Sequence, residues 1–122
     1  MTISTLLHVS LLVADTVVSE RFYQEIIGLE KSSDRPDLGY PGVWFELGPQ
    51  QLHLIQQPNP DPVEGRPLHG GYDRHVAFAA DDIEALIQRL EQHGISFTRS
   101  RSGRNALFLR DPDGNALEFV GG

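Results

Sequence analysis

Three histidines and a glutamate, His8, His53, His75 and Glu118, carry the donor types that a divalent cation takes: imidazole nitrogen and carboxylate oxygen. The chain has no cysteine, so a thiolate site, a disulfide and a cysteine nucleophile are excluded, and any metal must be held by His and carboxylate. The four stand at matching places in a repeated pattern. HVSLLVAD (8–15) resembles HVAFAADD (75–82), so His8 and His75 are 67 residues apart, as are Asp15 and Asp82. A helical pattern follows each and stops at Gly28 or Gly94, 66 apart, and QLHLI (51–55) matches ALEFV (116–120) at an offset of 65. The repeat therefore equates His8 with His75 and His53 with Glu118.

Each copy reads strand, helix, then three strands. Module 1 spans about 5–57 and module 2 about 74–122, with a loop at 58–73. Residues 6–13 are apolar and strand-like, and Asp15 can cap a helix bearing Val18, Phe22, Ile26 and Ile27. Asp81 or Asp82 caps the second helix, where Ile83, Leu86, Ile87 and Leu90 form one apolar stripe. His93 sits in the last turn of that helix, where a cation suits the helix dipole without any further role. Strands are expected at 29–34, 43–48 and 51–57, and again at 96–101, 105–110 and 115–120. The run 57–73 holds Pro58, Pro60, Pro62 and Pro67, too many for a regular element, and reads as a loop or lid.

Side chains alternate across a strand, so parity says which residues share a face. Val9, Leu11 and Val13 oppose His8, Ser10 and Leu12; Leu52 and Leu54 oppose Gln51, His53 and Ile55. Val76 and Phe78 oppose His75, and Leu117 and Phe119 oppose Glu118. An apolar, helix-facing side with one ionisable residue opposite recurs four times. The expected architecture is α+β, two tandem βαβββ modules forming curved mixed sheets, and a pseudo-two-fold would turn all four residues toward one cavity. A sheet face left open to solvent is the competing explanation of the same pattern.

By the same parity Trp44 and Phe108 are counterparts, able to wall an organic substrate. Arg99, Arg101 and Arg104 cluster in TRSRSGRN, which suggests a pocket for a carboxylate or phosphate, with Arg101 and Arg104 as substrate contacts. Arg66, His69 and Tyr72 lie on the proline-rich loop, placed to close over a substrate. Ser10 is two residues from His8 and is read as lining the cavity. No glycine-rich phosphate loop, GxGxxG or GxSxG is present. Ten Lys and Arg (nine of them Arg) against 17 Asp and Glu give a net charge of −7, which disfavours nucleic acid. The apolar runs are short of a membrane span, and no basic stretch leads into a long apolar one, so a cytoplasmic protein without membrane contact is expected.

LHVSLLVAD, SERFYQEIIGLE, DRHVAFAADDIEALIQRLEQHGI and FLRDPDGNALEFVG together resemble the vicinal oxygen chelate superfamily, which includes glyoxalase I, fosfomycin-resistance proteins and extradiol dioxygenases. The resemblance covers essentially the whole chain as one domain of the glyoxalase/bleomycin resistance/dihydroxybiphenyl dioxygenase fold. It implies His8, His75 and Glu118 as ligands of a divalent ion (Zn, Ni, Mn, Co or Fe), with Glu118 also at the place of the base. It implies a homodimer whose metal site is shared between chains, acting on a small-molecule substrate chelated through adjacent oxygens. His53 stands where glyoxalase I and the epimerases have Glu or Gln; it is open there as a fourth ligand, a general base or a substrate contact. The implied activity is that of a glyoxalase-like lyase or isomerase. The alternatives are an Fe(II) ring-cleaving dioxygenase and a non-catalytic drug- or metabolite-binding protein of bleomycin-resistance type. DRPDLGYPGVWFELGPQQLHLIQ resembles glyoxalase-like proteins with His at the fourth-strand place, which names no substrate.

Overall fold

A computed structural model describes residues 1–122. The chain divides into two compact units, Met1–Asn59 and Pro60–Gly122.

In the first unit β1 (His8–Val13) leads to α1 (Thr16–Arg21), then to β2 (Glu30–Lys31), β3 (Gly42–Leu47) and β4 (Gln50–Gln56). The sheet order is β1-β4-β3-β2, with β1 parallel to β4 and the other pairs antiparallel. Asp15 caps α1 by accepting from the Val17 and Val18 amides. The helix does not run on as a plain α-helix: Phe22–Ile27 widens into a π-helix. There the Tyr23 carbonyl accepts from both Gly28 and Leu29, and Gly28 leaves the helix at φ 90°. Phe22 and Tyr23, adjacent in sequence, are both buried. They join Val13, Val43, Phe45, Leu52 and Leu54 in the core.

The second unit repeats the order: β5 (His75–Ala79), α2 (Ile83–Gln92), β6 (Thr98–Arg99), β7 (Ala106–Arg110) and β8 (Ala116–Val120). Its sheet is β5-β8-β7-β6, again with one parallel pair, β5 with β8. Asp82 is the residue that caps α2, accepting from Ala85, and the stripe Ile83, Leu86, Ile87 and Leu90 is buried. The edge strands β2 and β6 are two residues long, shorter than their β propensity suggests. Past β2 the chain enters Pro36, Gly39 and Pro41, and past β6 Gly103, which leave no ladder to extend.

The proline-rich run is not wholly irregular. A 3₁₀ turn, Gly70–Tyr72, lies against β7 and β8. A Cβ on Gly70 would stand 3.3 Å from the Ala116 Cβ and 3.4 Å from the Phe108 Cβ, so the turn's close approach suits glycine. Asp73 fixes the segment by accepting from Arg66 (2.8 and 3.2 Å) and Arg110 (2.9 Å). The Arg66 hydrogen bond first, against the opposing effect of burial, and then Arg110 hold the Asp73 carboxyl well below the usual carboxylate range.

A carboxyl depressed in the folded state stabilises the fold fully above the pH where the unfolded aspartate ionises. That stabilisation is lost as pH falls through the lowered native value. Asp73→Asn is expected to cost about 1–3 kcal/mol at neutral pH, measured by urea unfolding. The difference from the parent protein should shrink in acid below the ordinary aspartate range.

Candidate functional site

In the first unit the register sets His53 on β4 opposite Ser10 of β1 and Trp44 of β3. The His53 ring is sandwiched: the His8 ring stacks on it with centroids 4.0 Å apart, and the Trp44 ring lies at 4.0 Å and only 2° from coplanar alignment. His53 is buried while His8 is exposed.

Its tautomer follows from the neighbours. The Gln51 side-chain amide nitrogen donates to Glu46 Oε1 at 2.9 Å, so the Gln51 carbonyl oxygen faces His53 Nε2, also at 2.9 Å. That oxygen only accepts, so Nε2 carries the proton and the lone pair lies on Nδ1. Burial first, then His8 and Arg35, push the His53 pKa down from 6.5 to about 4. The ring is neutral at pH 7. A cavity of about 580 Å³ opens beside the stack, reaching His8, Trp44, Arg35 and Tyr40.

The second unit carries a charged counterpart. Glu118 on β8 lies opposite Ala77 of β5 and Phe108 of β7, the same register that His53 has with Ser10 and Trp44. Trp44 and Phe108 are thus true counterparts. The Glu118 carboxylate is only 3% exposed, a position that demands partners. Oε1 is 3.3 Å from His75 Nε2, and Oε2 accepts from Arg104 at 2.9 Å. His75 Nδ1 donates to the Asp73 carbonyl at 2.9 Å, leaving the Nε2 lone pair directed toward Glu118. Phe108 meets the His75 ring edge-on at 5.3 Å, and His69 packs on its other side at 4.8 Å. His69 Nδ1 is within 2.7 Å of the Thr98 hydroxyl.

The expected residues are therefore gathered as two pairs, His8 with His53 and His75 with Glu118. No group of three or more His, Cys, Asp or Glu in the chain forms a metal-ligand cluster. Donors of the second pair nevertheless fit an ion. Two ligands each ~2.1 Å from one metal stand ~3.0–3.4 Å apart for right-angled to tetrahedral geometry, and the 3.3 Å between Nε2 and Oε1 lies in that span. The His75 ring proton is held on Nδ1 by the Asp73 carbonyl, the second hydrogen bond that a metal-binding imidazole makes.

The arginine cluster is arranged otherwise than an open anion pocket. Arg104 is paired with Glu118, Arg101 donates to the Tyr72 hydroxyl at 3.2 Å and lies over that ring, and Arg99 is exposed on β6. Arg66 is bound to Asp73 rather than free to close over a ligand. Three participants, Glu46, Gln51 and Arg35, were not expected. Strand parity carries the signal for the first two, each two residues from Trp44 or His53 and on the same face. Arg35 lies in an irregular segment that no periodicity locates.

Because the folded pKa of His53 is depressed, the unfolded chain takes up its proton first as pH falls. The stabilisation from this neutral ring is complete above 6.5 and lost on the way to about 4. Imidazole resonances followed by NMR in metal-free protein should show His53 unprotonated at pH 5. A midpoint near 6.5 would contradict the buried, sandwiched ring.

Residues 5–119 match the family model described as Glyoxalase/Bleomycin resistance protein/Dioxygenase superfamily. The chain is 29% identical over 126 residues to a lactoylglutathione lyase of Haemophilus influenzae, covering 94% of this chain and 90% of that protein. Among solved structures, a Bacillus anthracis protein assigned to the glyoxalase family aligns with TM-score 0.81 at 26% identity, over 99% of this chain and 97% of the other. A variant of a fosfomycin resistance protein from Listeria monocytogenes, in complex with Mn(II) and dihydroxypropylphosphonic acid, shares the fold with TM-score 0.75 at 19% identity, over 99% and 94% of the two chains.

Proposed function

The chain belongs to the glyoxalase/bleomycin resistance protein/dioxygenase superfamily, and on that footing we propose that it is a divalent-metal-dependent enzyme of glyoxalase type. It acts as a lyase or isomerase on a small oxygenated molecule bound through adjacent oxygens. The observation that carries the reading is the His75–Glu118 pair, a lone-pair nitrogen and a carboxylate oxygen at the spacing of two ligands on one ion.

His8, His75 and Glu118 would hold the ion, and His53 is the further nitrogen beside His8. A site shared between chains, as the family resemblance implies, would take His8 from the first unit of one protomer and the other pair from the second unit of its partner. The metal, when bound, supplies Lewis acidity that stabilises charge developing on a substrate oxygen. Glu118 carries the proton. Its carboxylate is buried and held by Arg104, which fixes one oxygen while the other stays near His75. With a pKa of about 4, His53 is a weak base at pH 7. It is therefore a neutral donor or substrate contact, and Trp44 and Phe108 wall the apolar body of the substrate.

A second reading draws on the Gln51 hydrogen bond and the ring sandwich of His53. If these keep His53 off the ion, His8, His75 and Glu118 form a two-His-one-carboxylate face, the set that Fe(II) oxygenases use.

Metal analysis of the purified protein should find a stoichiometric divalent ion. Glu118→Ala should lower occupancy at least ~10-fold, in the range seen on loss of metal-site groups. Full occupancy in that variant would overturn the ligand assignment, and a monomer retaining full metal in size-exclusion chromatography would overturn the shared site. Isomerisation of a thiol–ketoaldehyde adduct is the expected activity. Oxygen-dependent catechol cleavage in its place would establish the second reading.

A further inference from the structure

The cavity of the first unit contains a cation for which neither the fold nor the reaction has yet required a role. Arg35 lines it, half-buried, together with Tyr40, Trp44, Leu38 and His8. Its guanidinium makes one hydrogen bond, from Nη2 to the Tyr40 carbonyl at 2.7 Å, and lies 5.3 Å from the centre of the Tyr40 ring. It takes part in no ion pair. A guanidinium has five N–H donors in a planar fork, so four remain without a protein acceptor. Elsewhere in the chain Arg66, Arg104 and Arg110 each meet a carboxylate.

The seat of this side chain is specific. A Cβ on Gly42 would fall 2.5 Å from the Leu54 carbonyl oxygen, 2.9 Å from Arg35 Nη2 and 3.1 Å from Nε, so the guanidinium lies close against the β3 backbone at Gly42. Tyr40 holds it from the other side. A cation held this way in an aromatic-walled cavity is set for an anionic partner, and the partner's charge is limited by what else is there. Glu46 lines the same cavity, with its Oε1 engaged by Gln51. One guanidinium fork matches one carboxylate, and the Glu46 charge disfavours a doubly charged phosphate.

We propose that Arg35 anchors a carboxylate of the substrate, and that the portion of the substrate seated in this cavity is a planar aromatic carboxylate whose ring lies against Trp44 and Tyr40. Arg35 pairs with both carboxylate oxygens through its unused donors. The inference rests on the proposed function for the identity of the cavity as the substrate's, but the binding itself requires no metal.

The chain has one tryptophan, so intrinsic fluorescence reports on Trp44 alone. Benzoate titrated into the full chain after chelator treatment should quench it saturably. Arg35→Gln should weaken benzoate at least ~10-fold, the loss of one charge-assisted bidentate pair. Arg35→Lys, which keeps the charge and loses the fork, should fall between the two and decides the matter if the glutamine variant has an altered thermal transition. Benzamide, the uncharged analogue, should bind the parent and Arg35→Gln equally. No saturable quenching in the parent protein, equal benzoate affinity in all three proteins, or inorganic phosphate competing as strongly as benzoate would each overturn the assignment. A protein that retains no metal yet shows Arg35-dependent benzoate binding would refute the metal enzyme and leave this site standing; the reverse result would do the opposite.

Discussion

A carboxylate taken out of water must be met by charge and hydrogen bonds, and Glu118 is the place in this molecule where that requirement is strictest. It sits in the middle of a central strand with neighbours on both sides, so the groups able to satisfy it are limited to the face it shares. Arg104 meets one oxygen from the turn before β7, and the other oxygen faces the His75 ring of the parallel strand β5. The His75 ring is oriented by the Asp73 carbonyl, and Asp73 is itself clamped by Arg66 and Arg110. The proline-rich segment, the 3₁₀ turn and the strand register thus converge on one carboxylate oxygen and one imidazole lone pair.

The first unit uses the same strand scaffold for different chemistry. The position equivalent to Glu118 holds His53, and instead of charge pairing it is stacked between two rings and relayed through Gln51 to Glu46. A neutral imidazole tolerates burial that an unpaired carboxylate would not, which is why this half can be walled by aromatic side chains. Duplication of a fold preserves backbone position more readily than side-chain character. The two central strands accordingly offer a charged donor in one unit and an uncharged one in the other.

Much of the fold was legible from the residues. The repeat fixed two equivalent modules, alternation in QLHLI and ALEFV separated the helix-packed face from the face that carries His53 and Glu118, and Asp15, the Asp81–Asp82 pair, Gly28 and Gly94 marked helix ends. Alternation also made Trp44 and Phe108 counterparts on the cavity-facing side, and the register sets them opposite His53 and Glu118. The π-helix at Phe22–Ile27 was not legible, because its apolar residues read equally well as an α-helical stripe. The shortness of β2 and β6 depends on where the ladder runs out, which propensity does not record. Within the site, the donor residues could be named but their partners could not. That Arg104 goes to Glu118 and Arg101 to Tyr72 is settled by the path of a glycine-containing turn, and a count of nearby arginines carries none of that information. Arg35 escaped for the same reason, lying between Pro36 and Ser32 in a segment without period.

The central claim is that His75 and Glu118 share one ion. X-ray absorption at the metal edge of the loaded protein, paired with crystallography of the same preparation, addresses it directly. The account predicts a light-atom shell near ~2.1 Å that includes His75 Nε2 and Glu118 Oε1, with Arg104 still on the other carboxylate oxygen. An ion bound elsewhere, with Glu118 left to its two protein partners, would contradict it.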